Sequence, residues 1–347
     1  MKIIPRRSNL TVLLATSAVI LFPLGAQAVE FTISGQVNRL LMAVDNGVAD
    51  GIVHADNSVS GTRWRIKGQG DIGNGMSAGL YYETQLQSNP SSKVTEDSLD
   101  SDGDGGNVGK GDFFSVRQAN VWIKGNFGKA TIGQGDGAAN GSAEVDLSGT
   151  SVIQYSGSSA DLLGSMEYGT SGIKVGQARS NFDALSRNDN LRYDGASGPI
   201  SFAGSTGNGS KYELGFGYKV ADLQVKIGFW DSGDSTTTSI SGEAISASWV
   251  AASGLNLTGA YSGDDSTGDP SNIYFKVGFK KGDSAYAIDF SETSDRASAD
   301  ASAISVAWVT KVMKGIEAYA SYRVESLDNV VGADDVTALI GGARVKF

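Results

Sequence analysis

Residues 272–292 read NIYFKVGFKKGDSAYAIDFSE. In an extended chain Ile273, Phe275, Val277 and Phe279 share one side, with Lys276 and Lys280 on the other. Past Lys281, Gly282 and Asp283 the pattern resumes, with Tyr286, Ile288 and Phe290 opposed by Asp289. Side chains of a strand alternate with a period of two, so the stretch predicts a hairpin with one apolar face and one charged face. The alternation recurs at 211–219, where Tyr212, Leu214, Phe216 and Tyr218 oppose Lys211, Glu213 and Lys219. It recurs again at 223–230 and 316–323. Sixteen candidate strands follow, near 30–42, 61–72, 76–86, 112–125, 129–134, 189–195, 199–206, 211–219, 222–230, 242–250, 254–262, 271–280, 284–292, 302–310, 315–325 and 336–347.

The connectors alternate too. One set is tight: 73–75, 125–128, 197–199, 220–222, 251–254, 281–283 and 311–314. The other is usually longer and more acidic: 44–60, 87–111, 135–188, 231–241, 263–270, 293–301 and 326–335, with 207–210 as a short exception. Short turns on one rim and long loops on the other are the signature of an outer-membrane barrel, whose closure leaves no unpaired strand edge. A β-sandwich would place large apolar side chains in a core between sheets of fewer strands, and a β-helix would show a short fixed repeat. The predicted fold is an all-β, 16-stranded antiparallel transmembrane β-barrel with short periplasmic turns and long external loops.

Composition narrows the chemistry. The 347 residues hold 47 Gly, no Cys and one His, His54. Disulfide scaffolds, Cys-ligated metals and multi-His sites are excluded, and His-based catalysis is a poor fit. Residues 1–28 read as a cleaved export signal: Lys2, Arg6 and Arg7, then LTVLLATSAVILFPL at 10–24, then Ala26-Gln27-Ala28. The formal charge of the whole chain is −10, and losing the basic leader makes the remainder more acidic still, which argues against nucleic acid as a partner. The domain plan is a leader, 1–28, followed by one barrel, 29–347.

Five stretches carry a more specific likeness. They are FTISGQVNR at 31–39, TRWRIKGQGDIGNGMSAGLYYETQ at 62–85, VRQANVWIKGNFGKATIG at 116–133, RNDNLRYD at 187–194, and the terminal ARVKF ending in Phe347. In this order, behind an export signal, the chain resembles the general diffusion porins of Gram-negative outer membranes. That resemblance implies a homotrimer of 16-stranded barrels, each a water-filled channel for ions and small hydrophilic solutes. It implies contact with outer-membrane lipids and lipopolysaccharide, and recognition of Phe347 by the barrel-assembly machinery. It also implies an inward-folded constriction loop, which falls within 135–188 here.

In strand 61–72 Trp64 and Ile66 oppose Arg63, Arg65, Lys67, Gln69 and Asp71. Facing the cations to lipid would cost about 2–4 kcal/mol each near the midplane, so they are expected to face water. The family likeness places Arg63, Arg65, Lys67, Arg117 and Arg192 on a basic pore wall, with Asp194 standing where another Arg is common. It places Asp136, Glu144, Asp146 and Asp161 on the opposing acidic loop. With Arg117 inward, Gln118 and Asn120 would point outward beside Trp122.

Weaker signals remain. Residues 100–105, DSDGDG, open like a calcium loop, but position twelve is Gly111 instead of Glu and Asp112 follows one residue late. Apart from calcium there, no cofactor is expected. The five Trp residues suggest interfacial girdles, and His54 is expected in a solvent-facing loop. Tyr81, Tyr193, Tyr274 and Tyr319 could contribute to a sugar slide, so a sugar- or anion-selective porin is the alternative, followed by a non-conducting adhesin or structural barrel. Without a G-x-S-x-G motif or a second His, an enzyme is not expected.

Overall fold

The computed structural model describes residues 29–99, 114–233 and 239–347. The leader 1–28 and the calcium-type stretch 100–112 lie outside the described residues. The strands are β1 (Glu30–Asp45), β2 (Asp50–Asp56), β3 (Arg63–Gly73), β4 (Met76–Leu86), β5 (Phe114–Gly125), β6 (Gly128–Asp136), β7 (Arg187–Ser197), β8 (Ile200–Gly207), β9 (Tyr212–Val220), β10 (Leu223–Asp231), β11 (Ser241–Val250), β12 (Leu255–Asp264), β13 (Ser271–Lys281), β14 (Ser284–Arg296), β15 (Ala299–Met313), β16 (Ile316–Leu327) and β17 (Val336–Lys346). From β3 onward each strand pairs antiparallel with the next. The sheet closes where β17 pairs with β1, from Gln36 opposite Lys346 to Asp45 opposite Thr337.

Seventeen segments make sixteen staves. The outer half of β1 pairs with β2, from Arg39 opposite Asp56 to Asp45 opposite Asp50. Its inner half pairs with β3, from Glu30 opposite Gln69 to Gln36 opposite Arg63. β2 and β3 therefore form one stave, interrupted at 57–62. This corrects the long loop expected at 44–60: the true rim turn is only 46–49, and the break at 57–62 is held from inside. Gln36 Nε2 donates to the Ser60 and Gly61 carbonyls at 2.8 and 2.9 Å, and Asn57 Nδ2 to the Tyr319 hydroxyl at 3.0 Å. His54 consequently sits on β2, against the Arg39 guanidinium at 3.3 Å, and not in a loop. The loop expected at 293–301 likewise shrinks to the turn between β14 and β15.

The burial pattern is the reverse of a water-soluble protein's. On β13 Phe275 is 54% exposed while Lys276 is 0% exposed. The outward belt also carries Phe216, Phe279, Tyr286, Ile288, Trp308 and Leu339, whereas Asn256, Asp289, Ser305, Arg323 and Glu325 are buried inside. A ring of apolar side chains around a polar interior is stable only with hydrocarbon outside. Turns such as Asn74-Gly75, with φ of 54° and 71°, use residues that tolerate left-handed backbone. Trp64, Trp249 and Trp308 belong to the outward belt, but Trp122 and Trp230 point inward, which corrects a girdle of all five.

The segment 137–186 between β6 and β7 folds into the barrel and carries two short helices, α1 (Ser158–Leu163) and α2 (Val175–Ala178). The reason is apolar. β1 and β17 present Leu40, Met42, Val44, Val336, Ala338 and Ile340 to the lumen, and Val152, Ile153, Leu162, Leu163 and Met166 of the segment cover them. Burying each large aliphatic side chain is worth about 1.5–3 kcal/mol, so water is a poor competitor for that wall.

Candidate functional site

β3, β4 and β5 build the basic side of the lumen. Cross-strand pairing sets Arg65 opposite Glu83 and Lys67 opposite Tyr81. Glu83 is the hub that the residue pattern alone did not single out. Arg65 Nε lies 2.5 Å from Glu83 Oε2, Arg117 Nε 2.7 Å from Oε1, and Arg63 Nη1 3.5 Å from Oε1. Arg117 Nη1 donates to Gln85 Oε1 at 2.8 Å. Three guanidiniums share one carboxylate, so the cluster keeps a net positive charge.

Arg117 reaches the hub through a β-bulge. Glu83 pairs with Gln118 and Thr84 with Val116, which leaves Arg117 as the extra residue. The bulge resets the alternation: Gln118 is buried, Asn120 donates to its Oε1 at 3.2 Å, and Ala119, Val121 and Ile123 face outward. The expectation that Gln118 and Asn120 face outward with Arg117 inward is therefore corrected. Period two fails at the bulge, and both phases are partly right.

A cavity of about 710 Å³ opens beside this cluster. Arg63, Arg117 and Arg187 line one side, and Glu144, Asp161 and Asp183 of the inward segment line another. Ser58, Val59 and Ser60, from the break between β2 and β3, also reach it. Asp161 accepts from the Tyr155 hydroxyl at 2.5 Å. Burial raises its pKa, and the Tyr155 bond together with the fields of Arg117, Arg187 and Arg63 works against that rise. Burial raises the Asp183 carboxyl too, against backbone N–H groups donated by Gly141 at 2.6 Å and Ala143 at 2.8 Å, which favour its ionised form. Burial pushes the neighbouring Glu144 carboxyl up to about 8, with Asp183 adding to the rise and a 2.9 Å bond from Asn181 opposing it.

The other expected site residues lie elsewhere. Arg65 serves the Glu83 hub and does not line the cavity. Lys67 lies nearer the short-turn rim, with Nζ 5.2 Å from the Tyr81 ring centre. Arg192 pairs with Asp194 at 2.7 Å and donates to the Gly137 carbonyl at 2.7 Å, fastening the start of the inward segment. Asp136 is the last residue of β6 and pairs with Arg187 at 2.9 Å. Asp146 is buried against the wall, 2.7 Å from Lys276 Nζ. Arg187 and Asp183 are the missed members; both lie at the junction of the loop with β7, inside the stretch 135–188 treated as loop. The Tyr residues form no slide: Tyr193 is exposed on the outer face, Tyr274 and Tyr319 are buried, and only Tyr81 faces the open lumen.

Comparisons with known proteins agree with this architecture. A family model described as "Gram-negative porin" matches residues 15–329. The chain is similar to an anion-selective porin from Comamonas acidovorans, with TM-score 0.64, 15% identity, and 92% of this chain and 100% of that one covered. It is similar to Salmonella typhi OmpF in complex with daunomycin, with TM-score 0.61, 15% identity, and coverage of 91% and 97%. It is also similar to OmpT of Vibrio cholerae in a trimer form, with TM-score 0.58, 15% identity, and coverage of 92% and 100%. At these identities the likeness concerns the fold. Among curated proteins no sequence matches.

Proposed function

The chain belongs to the Gram-negative porin family, and on that premise we propose that it is a passive outer-membrane channel for ions and small hydrophilic solutes. One observation carries the reading: a single cavity has guanidiniums on the wall and carboxylates on the inward segment. Opposed charges at a narrowing set a transverse field that orients polar solutes and excludes bulky apolar ones, with no covalent chemistry required. In this reading Arg63, Arg117 and Arg187 form the working basic wall, Asp161 and Asp183 the standing acidic face, and Arg65 a support through Glu83. Arg192, Asp136 and Asp146 then act as fasteners of the loop.

The active form we propose is a homotrimer. The outer face of β3–β6 carries mostly small and aliphatic residues, among them Gly68, Gly70, Ala78, Ala119, Val121, Ala130 and Ile132, with Trp64, Tyr82 and Phe114 its aromatics, while most of the aromatic belt lies on β8–β16. A face dominated by small residues suits contact with another barrel, and a dense aromatic belt suits lipid and lipopolysaccharide. Export by the leader 1–28 and recognition of Phe347 by the assembly machinery belong to the same proposal. Phe347 closes the last strand with backbone bonds to Gly35 at 2.9 and 3.1 Å.

Planar-bilayer recording tests the channel reading, with stepwise openings in threes as the expected result. Liposome swelling should slow with increasing sugar size and show no saturation. A barrel that inserts without conducting would end the proposal, and saturable uptake would replace sieving with recognition. The Glu144 carboxyl adds a pH signature. Because its pKa is raised to about 8, it is neutral below that pH and charged above it. Cation preference in a KCl gradient should therefore rise between about pH 7 and pH 9. Glu144→Gln should flatten that step; an unchanged step in the variant assigns it to another group.

A further inference from the structure

Many cations facing the lumen are ion-paired with a carboxylate, as in the Arg192–Asp194, Lys276–Asp146, Arg323–Glu325 and Arg344–Glu317 pairs, and the three guanidiniums at Glu83 share one. Three near the short-turn rim are not. Lys67, Lys124 and Lys129 line a second cavity, of about 510 Å³, with Gln69, Ser77, Tyr81 and Trp122. None of the three forms an ion pair among the described residues. Aromatic rings hold two of them: Lys67 Nζ stands 5.2 Å from the Tyr81 centroid, and Lys129 Nζ 5.5 Å from that of Trp122. Pairing sets Lys124 directly opposite Lys129, so two ammoniums share one rung. Asp194, opposite Lys129 on the other side, is already engaged by Arg192 Nε at 3.0 Å and Nη2 at 2.7 Å.

An ammonium held on a ring face is positioned without losing its charge or its three donors. A carboxylate partner would have cancelled that charge. The result is a concentration of positive charge in a recess walled largely by aromatic and aliphatic carbon, on the short-turn side of the cavity that Arg63 and Arg117 line. We propose that this recess is an anion subsite that takes a phosphate group, either free phosphate or that of a small phosphorylated solute. The inference rests on the channel reading above, since the recess is reached through the lumen. Phosphate suits it because a dianion with several acceptor oxygens can engage two or three ammoniums at once.

The test is single-channel recording of the intact protein in KCl at pH 8 with added potassium phosphate, glucose 6-phosphate or glucose. Both phosphates should lower conductance in a saturable way, and glucose at the same concentration should not. The variant Lys67→Gln/Lys124→Gln/Lys129→Gln should need about tenfold more phosphate for half-maximal effect, by the loss of three nearby charges. Lys129→Gln alone, a mild change at an open lumen position, should shift it about two- to threefold. Block by inorganic phosphate but not by glucose 6-phosphate would assign the subsite to the free ion; block by both assigns it to the phosphate group. If the wild type conducts in KCl and phosphate acts equally on wild type and variants, or not at all, the subsite is overturned and the channel reading stands. A wild type that never conducts overturns both.

Discussion

Replacing Lys276 with Met should free part of the inward segment from the wall and raise single-channel conductance. The Lys276 side chain is fully buried and donates to Asp146 Oδ2 at 2.7 Å, to the Gln154 carbonyl at 2.6 Å and to Thr150 Oγ1 at 3.1 Å. One ammonium on β13 thus fastens three points of the segment. Removing it leaves the Asp146 carboxylate buried with no counter-charge, and breaking a buried pair from one side costs about 3–5 kcal/mol. At 1.4 kcal/mol per decade, that shifts the local docking equilibrium by a factor on the order of one hundred to several thousand. The segment should not leave altogether. Arg323 still holds the Ser158 and Ser159 hydroxyls at 2.6 and 3.0 Å, and the apolar contacts to β1 and β17 remain. The expected variant is therefore a barrel of normal stability with larger, noisier openings and faster swelling of liposomes in larger sugars. The double variant Lys276→Met/Asp146→Leu removes both charges and should return toward wild-type conductance, because replacing both partners by apolar groups is often neutral. A single variant with wild-type conductance and size cut-off would show that this pin does not hold the segment.

The same pair shows where reading the residues succeeds and where it stops. Period-two alternation places Lys276 on the polar side of its strand, and the tight turns give the order of the staves. Both are local properties, settled by neighbours along the chain. What Lys276 touches is not local, since Asp146 is 130 residues away. The same holds for Asp136, Asp146 and Arg192: their charge is legible, but their use as fasteners depends on where the segment 137–186 lands. Glu83 is an intermediate case. Counting rungs back from the turn at 73–75 sets it opposite Arg65, so the hub is recoverable from hairpin register, as the Arg187 and Asp183 placements are not. Two departures have physical causes that a two-residue period hides. At Arg117 an extra residue enters the strand, and on β1 the run Leu40, Leu41, Met42, Ala43, Val44 is apolar on both faces. One face meets the exterior and the other the inward segment.

The double variant Arg63→Gln/Arg117→Gln should move ion preference toward cations by about an order of magnitude at low salt. The wall cluster holds three guanidiniums and one carboxylate, and the variant leaves only Arg65 with Glu83, a neutral pair. Arg187, paired with Asp136, and Arg296 are then the guanidiniums left on that cavity, against Asp161 and Asp183. A unit charge about 5 Å from a passing ion is worth about 0.8 kcal/mol in bulk water, or roughly fourfold in local concentration. Two such changes multiply to more than tenfold, and the low-dielectric protein wall can only strengthen them. The effect acts on both ions at once, since what repels potassium in the wild type attracts chloride. Salt provides an internal check. Screening lengths of about 10 Å at 0.1 M and 3 Å at 1 M mean that the shift should be large in the first condition and small in the second. A change caused by misfolding or a wider hole would not vanish with salt. Asp161→Asn should move the preference in the opposite direction, toward anions. Reversal potentials in a KCl gradient read all three outcomes. If the double variant and the wild type give the same potential at 0.1 M, the field of this cluster does not govern permeation, and the charges that do must be sought elsewhere in the lumen.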